Sequence, residues 1–134
     1  MALVAPRTIA STHEIDPREV IPALLDIAAK WGFDDRTTMR LLGIEASRTL
    51  QQWRAHPPSS LSSERLERLS YIAWIYELLH ALFADDRVAD DWPNRPNTAP
   101  LFAGHPPHEL MCSGSLADIF RVYEHLFAQT QGWS

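Results

Sequence analysis

Arg36, Arg40, Arg48 and Arg54 stand against one acid, Glu45, between positions 36 and 54, in a chain whose formal net charge is −5. Guanidinium groups at that density suit phosphate contact, and a chain that is acidic overall can meet nucleic acid only through such a local patch. The same stretch, DRTTMRLLGIEASRTLQQWR from Asp35 to Arg54, interleaves Ser47, Gln51 and Gln52 with the arginines. Ser, Arg and Gln reach phosphates and base edges in a major groove. A second constellation, HPPHELMC, brings together the zinc-ligand types His105, His108 and Cys112. His108 and Cys112 would share a helix face, but Pro106 and Pro107 constrain His105 and no fourth ligand is obvious. No metal site and no cofactor are therefore expected. No activated nucleophile, phosphate-cradling glycine loop or acid pair points to an active site, so an enzyme is not expected either.

The elements that must hold these residues read as helices throughout, because no run shows period-2 alternation with β-branched residues. Asp16-Pro17-Arg18-Glu19 has the form of an N-cap, a proline at N1 and an acid at N3, with Val20, Leu24, Ile27, Ala28 and Trp31 in helical period as far as Gly32. Pro22 would remove a backbone bond from that helix, which moves the expected regular start toward Ile21. Asp35 to Leu42 fits a short helix stopped by Gly43, and Ala46 to Arg54 a second, stopped by HPPSS. With Ile44 plugging the angle, this is the layout of a helix-turn-helix. Leu50 and Trp53 face inward, and Ser47, Arg48, Gln51 and Gln52 face outward with Arg54 at the end. A helical hairpin with a merely solvated polar face is the competing reading; the turn glycine, the apolar anchors and the arginine excess favour the motif. Specific binding by so modest a patch would need a dimer.

Ser62 to Ala84 forms the longest expected helix, apolar nearly all round its second half, as in a helix central to a core or covered by another subunit. The run LSYIAWIYELLHALF within it contains Glu77 and His80 and falls short of the roughly 20 residues that span a bilayer. No membrane association is expected. A final helix after Ser115 takes Asp118 as its capping-box acid and Leu116, Ile119, Phe120, Tyr123 and Phe127 as its buried face. His80 and His125 are placed at helix surfaces or edges. Cys112, the single cysteine, has no internal partner, and residues 1–12 lack a signal-peptide core, so a cytoplasmic location is expected. Residues 70–134 carry Arg87, Arg95 and Arg121 against eight acids, so the acidic half and the basic patch suggest two different partners.

Between the last helices lies DDWPNRPNTAPLFAGHPPHELM, with five of the ten prolines. Its composition is that of a linker, yet it carries Trp92, Leu101, Phe102, Leu110 and Met111. Trp92, Arg95-Pro96-Asn97, Pro100 to Gly104, the Pro-led segment Pro106 to Met111, Leu116 to Asp118, and Gly132-Trp133 follow one another in the order seen in a known family. On these residues, from about 65 to 133, the chain resembles the Xre/MbcA/ParS antitoxins, and its upstream helix-turn-helix agrees with their Xre-like N-terminal part. It departs from them at Ala103, where glycine is common, and at Phe127, where an acid is common. Both could tune partner choice.

The resemblance implies an all-α protein: an N-terminal Xre-like helix-turn-helix bundle joined by a long central helix to a small helical toxin-binding domain. The expected divisions are an arm over 1–15, a helix-turn-helix domain over 16–64 and a toxin-binding domain over 65–134. The implied activity is that of an antitoxin of a type II toxin–antitoxin pair, blocking the NAD cleft of a RES-domain toxin and repressing its own operon as a homodimer or a larger complex with the toxin. Toxin contact is expected at Gly132, Trp133, Ser134, Arg95, Asn97, Trp92 and Arg121, and operator DNA contact at Arg40, Ser47, Arg48, Gln51, Gln52 and Arg54. Trp133 follows a glycine hinge and is free to reach a cleft, whereas Trp92 also fits a core cap and Arg95 a clamp on backbone carbonyls. A Pro-braced loop loses little entropy on binding, which suits anchors held in place beforehand. The alternative is a stand-alone helix-turn-helix regulator whose C-terminal lobe dimerises.

Overall fold

A computed structural model describes residues 15–131, and Gly132, Trp133 and Ser134 lie outside these described residues. Within them the chain is all-helical: α1 (Pro17–Lys30), α2 (Asp35–Leu42), α3 (Ser47–Ala55), α4 (Ser63–Leu82), α5 (Asp86–Asp91), a 3-10 turn (Trp92–Asn94), α6 (Pro107–Met111) and α7 (Leu116–Gln131).

Capping explains most of the boundaries. The Asp16 carboxylate accepts from the Arg18 amide at 2.9 Å, and Pro17 occupies the first turn. The helix therefore starts at Pro17, which corrects the expected start near Ile21. Pro22 lies inside the helix and removes only the bond to the carbonyl of Arg18, an exposed residue whose backbone can turn to water. Asp34 caps α2 through the Thr37 amide at 2.8 Å, and Ser62 caps α4 through the Arg65 amide at 3.3 Å. At the end of α2, Gly43 adopts φ 73°, its amide reaching Arg40 O and the Ile44 amide reaching Met39 O at 2.8 Å. This Schellman closure turns the chain sharply and drops Ile44 into the core at 5% exposure.

The long helix α4 is the hub, packed against α1, α5 and α7. Leu69, Ile72, Ile75, Leu78 and Leu79 on it are fully buried. Truncating any one to alanine would cost about 2–5 kcal/mol. A continuous core runs from Val20 in α1 to Leu126 in α7. Helix α5 escaped the sequence reading, having only Ala89 buried; Asp85 caps it through the Arg87 amide. His80 sets its position, since Nδ1 lies 3.1 Å from Asp86 and Nε2 2.7 Å from Asp90.

In α7 the buried positions are Ile119, Val122 and Leu126, while Leu116, Phe120, Tyr123 and Phe127 are only half-buried. The expected buried stripe is thus rotated, with its aromatic edge left partly open. The start of α7 also differs from a reciprocal capping box. The Asp118 amide donates to Ser115 Oγ at 3.4 Å, but the Asp118 carboxylate accepts from the Ser113 hydroxyl at 2.8 Å, and Ser113 Oγ accepts from the Ser115 amide.

Candidate functional site

Helix α3 presents the polar face expected of it. Leu50 is fully buried and Trp53 is 6% exposed, so at helical spacing Ser47, Arg48, Gln51 and Gln52 are left exposed. Arg48, Gln51, Gln52, Ala55 and His56 border one shallow groove. Ala46 precedes α3 without a side-chain cap, so the positive end of the helix dipole opens beside Ser47 and Arg48. Arg40 is exposed on α2.

Arg54 stands apart from this face. Its guanidinium grips Asp35 through two bonds, 2.6 and 3.3 Å, tying the last turn of α3 to the first turn of α2. Hydrogen bonding to Arg54 lowers the Asp35 pKa, and the same bond raises that of Arg54. The arginine excess read over residues 36–54 is therefore smaller in space, because Asp35, just before that window, neutralises one cation.

The proline-rich segment is ordered by its own backbone and by Asn97. The Asn97 side-chain oxygen accepts from the Ala99 amide at 2.9 Å, the Asn97 backbone N–H donates to His105 O, and its backbone carbonyl accepts from the Gly104 amide at 2.7 Å. These bonds close a loop whose tip drives Phe102 inward, edge-on to Trp92 at 5.6 Å and to His125 at 5.1 Å. Phe102 is 4% and Trp92 6% exposed, so both cap the core. Ala103 takes a left-handed φ of 50°, a conformation that suits the glycine common there in the resembled family. Arg95 is exposed and pairs with Asp91 at 3.5 Å rather than with a backbone carbonyl, and Arg121 pairs with Asp118 at 3.3 Å.

The residues of HPPHELMC have separate engagements. His105 meets Glu109 at 3.3 Å, the His108 ring stands edge-on to Phe33, and the Cys112 thiol donates to Thr37 O at 3.8 Å. Burial pushes the Cys112 pKa up to about 12. Among the described residues, no group of three or more His, Cys, Asp or Glu is arranged to hold a metal ion.

Two connecting residues were not singled out from sequence. Arg68 of α4 is 8% exposed, lies in the hollow beside Gly43 and donates to Gly114 O at 3.0 Å. Asn94 donates to Trp31 O at 2.7 Å, fastening the proline-rich segment to the end of α1. Their signals were weak: an arginine among alternating charges, and an asparagine among prolines.

Helix pair, turn and exposed polar face together define a helix-turn-helix on a scaffold that is all-helical among the described residues. Residues 20–73 match the family described as "Antitoxin Xre-like helix-turn-helix domain". That span runs from α1 to the middle of α4 and includes the Gly43 turn. The chain is also 34% identical over 112 residues to "Uncharacterized protein y4oB" of Sinorhizobium fredii (strain NBRC 101917 / NGR234), with 84% of each chain covered. The chain belongs to the family of that relative, with an Xre-like antitoxin helix-turn-helix domain in its N-terminal part. No solved structure matches it. Among the described residues, no helix is long and apolar enough to cross a membrane.

Proposed function

We propose that this protein is the antitoxin of a type II pair, neutralising a RES-domain toxin through its C-terminal region and binding operator DNA through α3. The observation carrying the reading is the Xre-like antitoxin domain over residues 20–73, continued through α4 into the ordered Trp92 to Met111 segment. That segment holds the family-like Arg95 and Asn97 on a loop closed by its own hydrogen bonds and seated on the core through Phe102, which suits the surface of a binding protein. In this reading residues 65–134 act on the toxin and residues 16–64 on DNA. Arg95, Asn97 and Arg121 contribute to the toxin contact, Trp92 supports the loop from beneath, and Gly132, Trp133 and Ser134 enter or rim the NAD cleft. Arg40, Ser47, Arg48, Gln51 and Gln52 face the operator, and Arg54 holds α3 in register through Asp35. A dimer, or a complex with the toxin, supplies the second half-site contact. The protein acts in the cytoplasm, without catalysis of its own.

The test is co-expression with the RES-domain reading frame expected beside the gene. Full-length chain should restore growth of toxin-expressing cells, and a chain ending at Thr130 should restore it less. Absence of such a reading frame, or lack of rescue by the full chain, overturns the antitoxin reading. Full rescue by the shortened chain overturns the role of Trp133 alone.

A further inference from the structure

Five aromatic side chains line the outer seam between α4 and α7: Tyr71, Trp74, Phe120, Tyr123 and Phe127. Each is half-buried rather than sealed in the core. Tyr71 is the node, its ring centre 5.4 Å from Trp74, 5.2 Å from Phe120 and 5.3 Å from Tyr123. Phe127 extends the row by stacking on Tyr123 at 5.9 Å and 22°. The edge-on contacts hold the rings in place against one another, so little side-chain entropy remains to be lost when something covers them. An apolar aromatic row left partly open is a marker of an interaction surface.

Charge identifies what fits there. Glu67 and Glu124 are exposed and stand at helical spacing beside the row, Glu67 four positions before Tyr71 on α4 and Glu124 four after Phe120 and three before Phe127 on α7. Aromatic faces beside carboxylates attract guanidinium and ammonium groups, by cation–π contact to the rings and ion pairing at the rim. We propose that this aromatic seam docks a basic, apolar-centred surface of the partner toxin, with Glu67 and Glu124 receiving its arginines or lysines. This rests on the antitoxin reading and adds to it a contact face separate from the Trp92 to Met111 loop and from residues 132–134. A second copy of this chain would gather four carboxylates, two from each seam, at one interface, and that like charge disfavours it as the occupant.

The experiment titrates the purified RES-domain protein encoded beside the gene with full-length chain, with Phe127→Lys and with Glu67→Gln/Glu124→Gln. Circular dichroism checks the fold, and light scattering the oligomeric state. The Phe127→Lys affinity should fall at least roughly tenfold, because the ring is lost and a cation faces a basic partner. The double glutamine variant alters only exposed side chains and so keeps the test open if Phe127→Lys misfolds. Its affinity should fall about threefold with a flatter salt dependence. Wild-type binding that both variants retain unchanged overturns the docking face while leaving the antitoxin reading intact. Dissociation of a homodimer by Phe127→Lys with toxin affinity unaltered assigns the seam to a second copy and also overturns it. Failure of the wild-type chain to bind the RES-domain protein removes the antitoxin reading and this face together.

Discussion

Replacing Gly43 by alanine probes the point where the helix-turn-helix meets the rest of the molecule. Two costs combine there. The residue sits at φ 73°, where an L side chain is disfavoured by about 1–2 kcal/mol, partly offset by about 0.4–1 kcal/mol from a stiffer unfolded chain. A Cβ would also stand 2.9 Å from Arg68 Nε and 3.2 Å from its Cζ. Arg68 is buried and held by Gly114 O, so it can yield only by loosening a charged hydrogen bond with a net worth of about 1.5–3 kcal/mol. The expected total is a loss of about 2–4 kcal/mol, read as a lower urea midpoint with unchanged slope. Arg68→Met separates the two costs, since it removes the guanidinium while keeping an apolar stem of similar reach. In that background Gly43→Ala should cost only about 1 kcal/mol or less, the backbone share. Purely additive costs in the double variant, or a Gly43→Ala midpoint equal to wild type, would refute the claim that Arg68 locks this turn.

Two further outcomes are expected. If α3 reads DNA as proposed, Arg48→Ala should weaken operator binding and reduce the salt slope of log K by about 1, one phosphate contact, with Arg54→Ala changing the slope less because Asp35 already holds that charge. Equal slopes for the two variants by fluorescence anisotropy would contradict this assignment. The second outcome concerns pH. Burial lowers the His125 pKa, so its imidazole resists protonation in the folded state while the unfolded chain takes up a proton near the ordinary value of about 6.5. This group leaves stability intact above that pH and withdraws some as pH falls from there through the folded value. Thermal unfolding across that window should be less pH-dependent for His125→Gln; an unaltered dependence would show that the ring is solvated.

What could be read without tertiary structure was whatever depends on neighbours a few residues apart. Gly43 as a stop signal, Leu50 and Trp53 against Ser47, Arg48, Gln51 and Gln52, and the caps at Asp16 and Ser115 all follow from helical period and local hydrogen bonding. The start of α1 was misplaced because helix propensity penalises Pro22, whereas α1 is held by Val20, Ile21 and Leu24 packing into the core. In α7 an apolar period could not choose between Phe120 and Val122 as the inner position. Contact with α4 made the choice, sealing Ile119, Val122 and Leu126 and leaving the aromatic row at the seam.

Local pattern alone specifies an all-helical chain, the helix-turn-helix and the family-like order of residues from Trp92 onward. It took helix packing to show that Asp35 neutralises Arg54, that Phe102 closes its loop between Trp92 and His125, and that Arg68 and Asn94 join the two halves. Those partners lie 19 or more positions apart for Arg54, Arg68 and Asn94, beyond anything that period or capping encodes. Such pairings are set by how the helices pack around α4, which brings together groups that the local sequence has no means of matching.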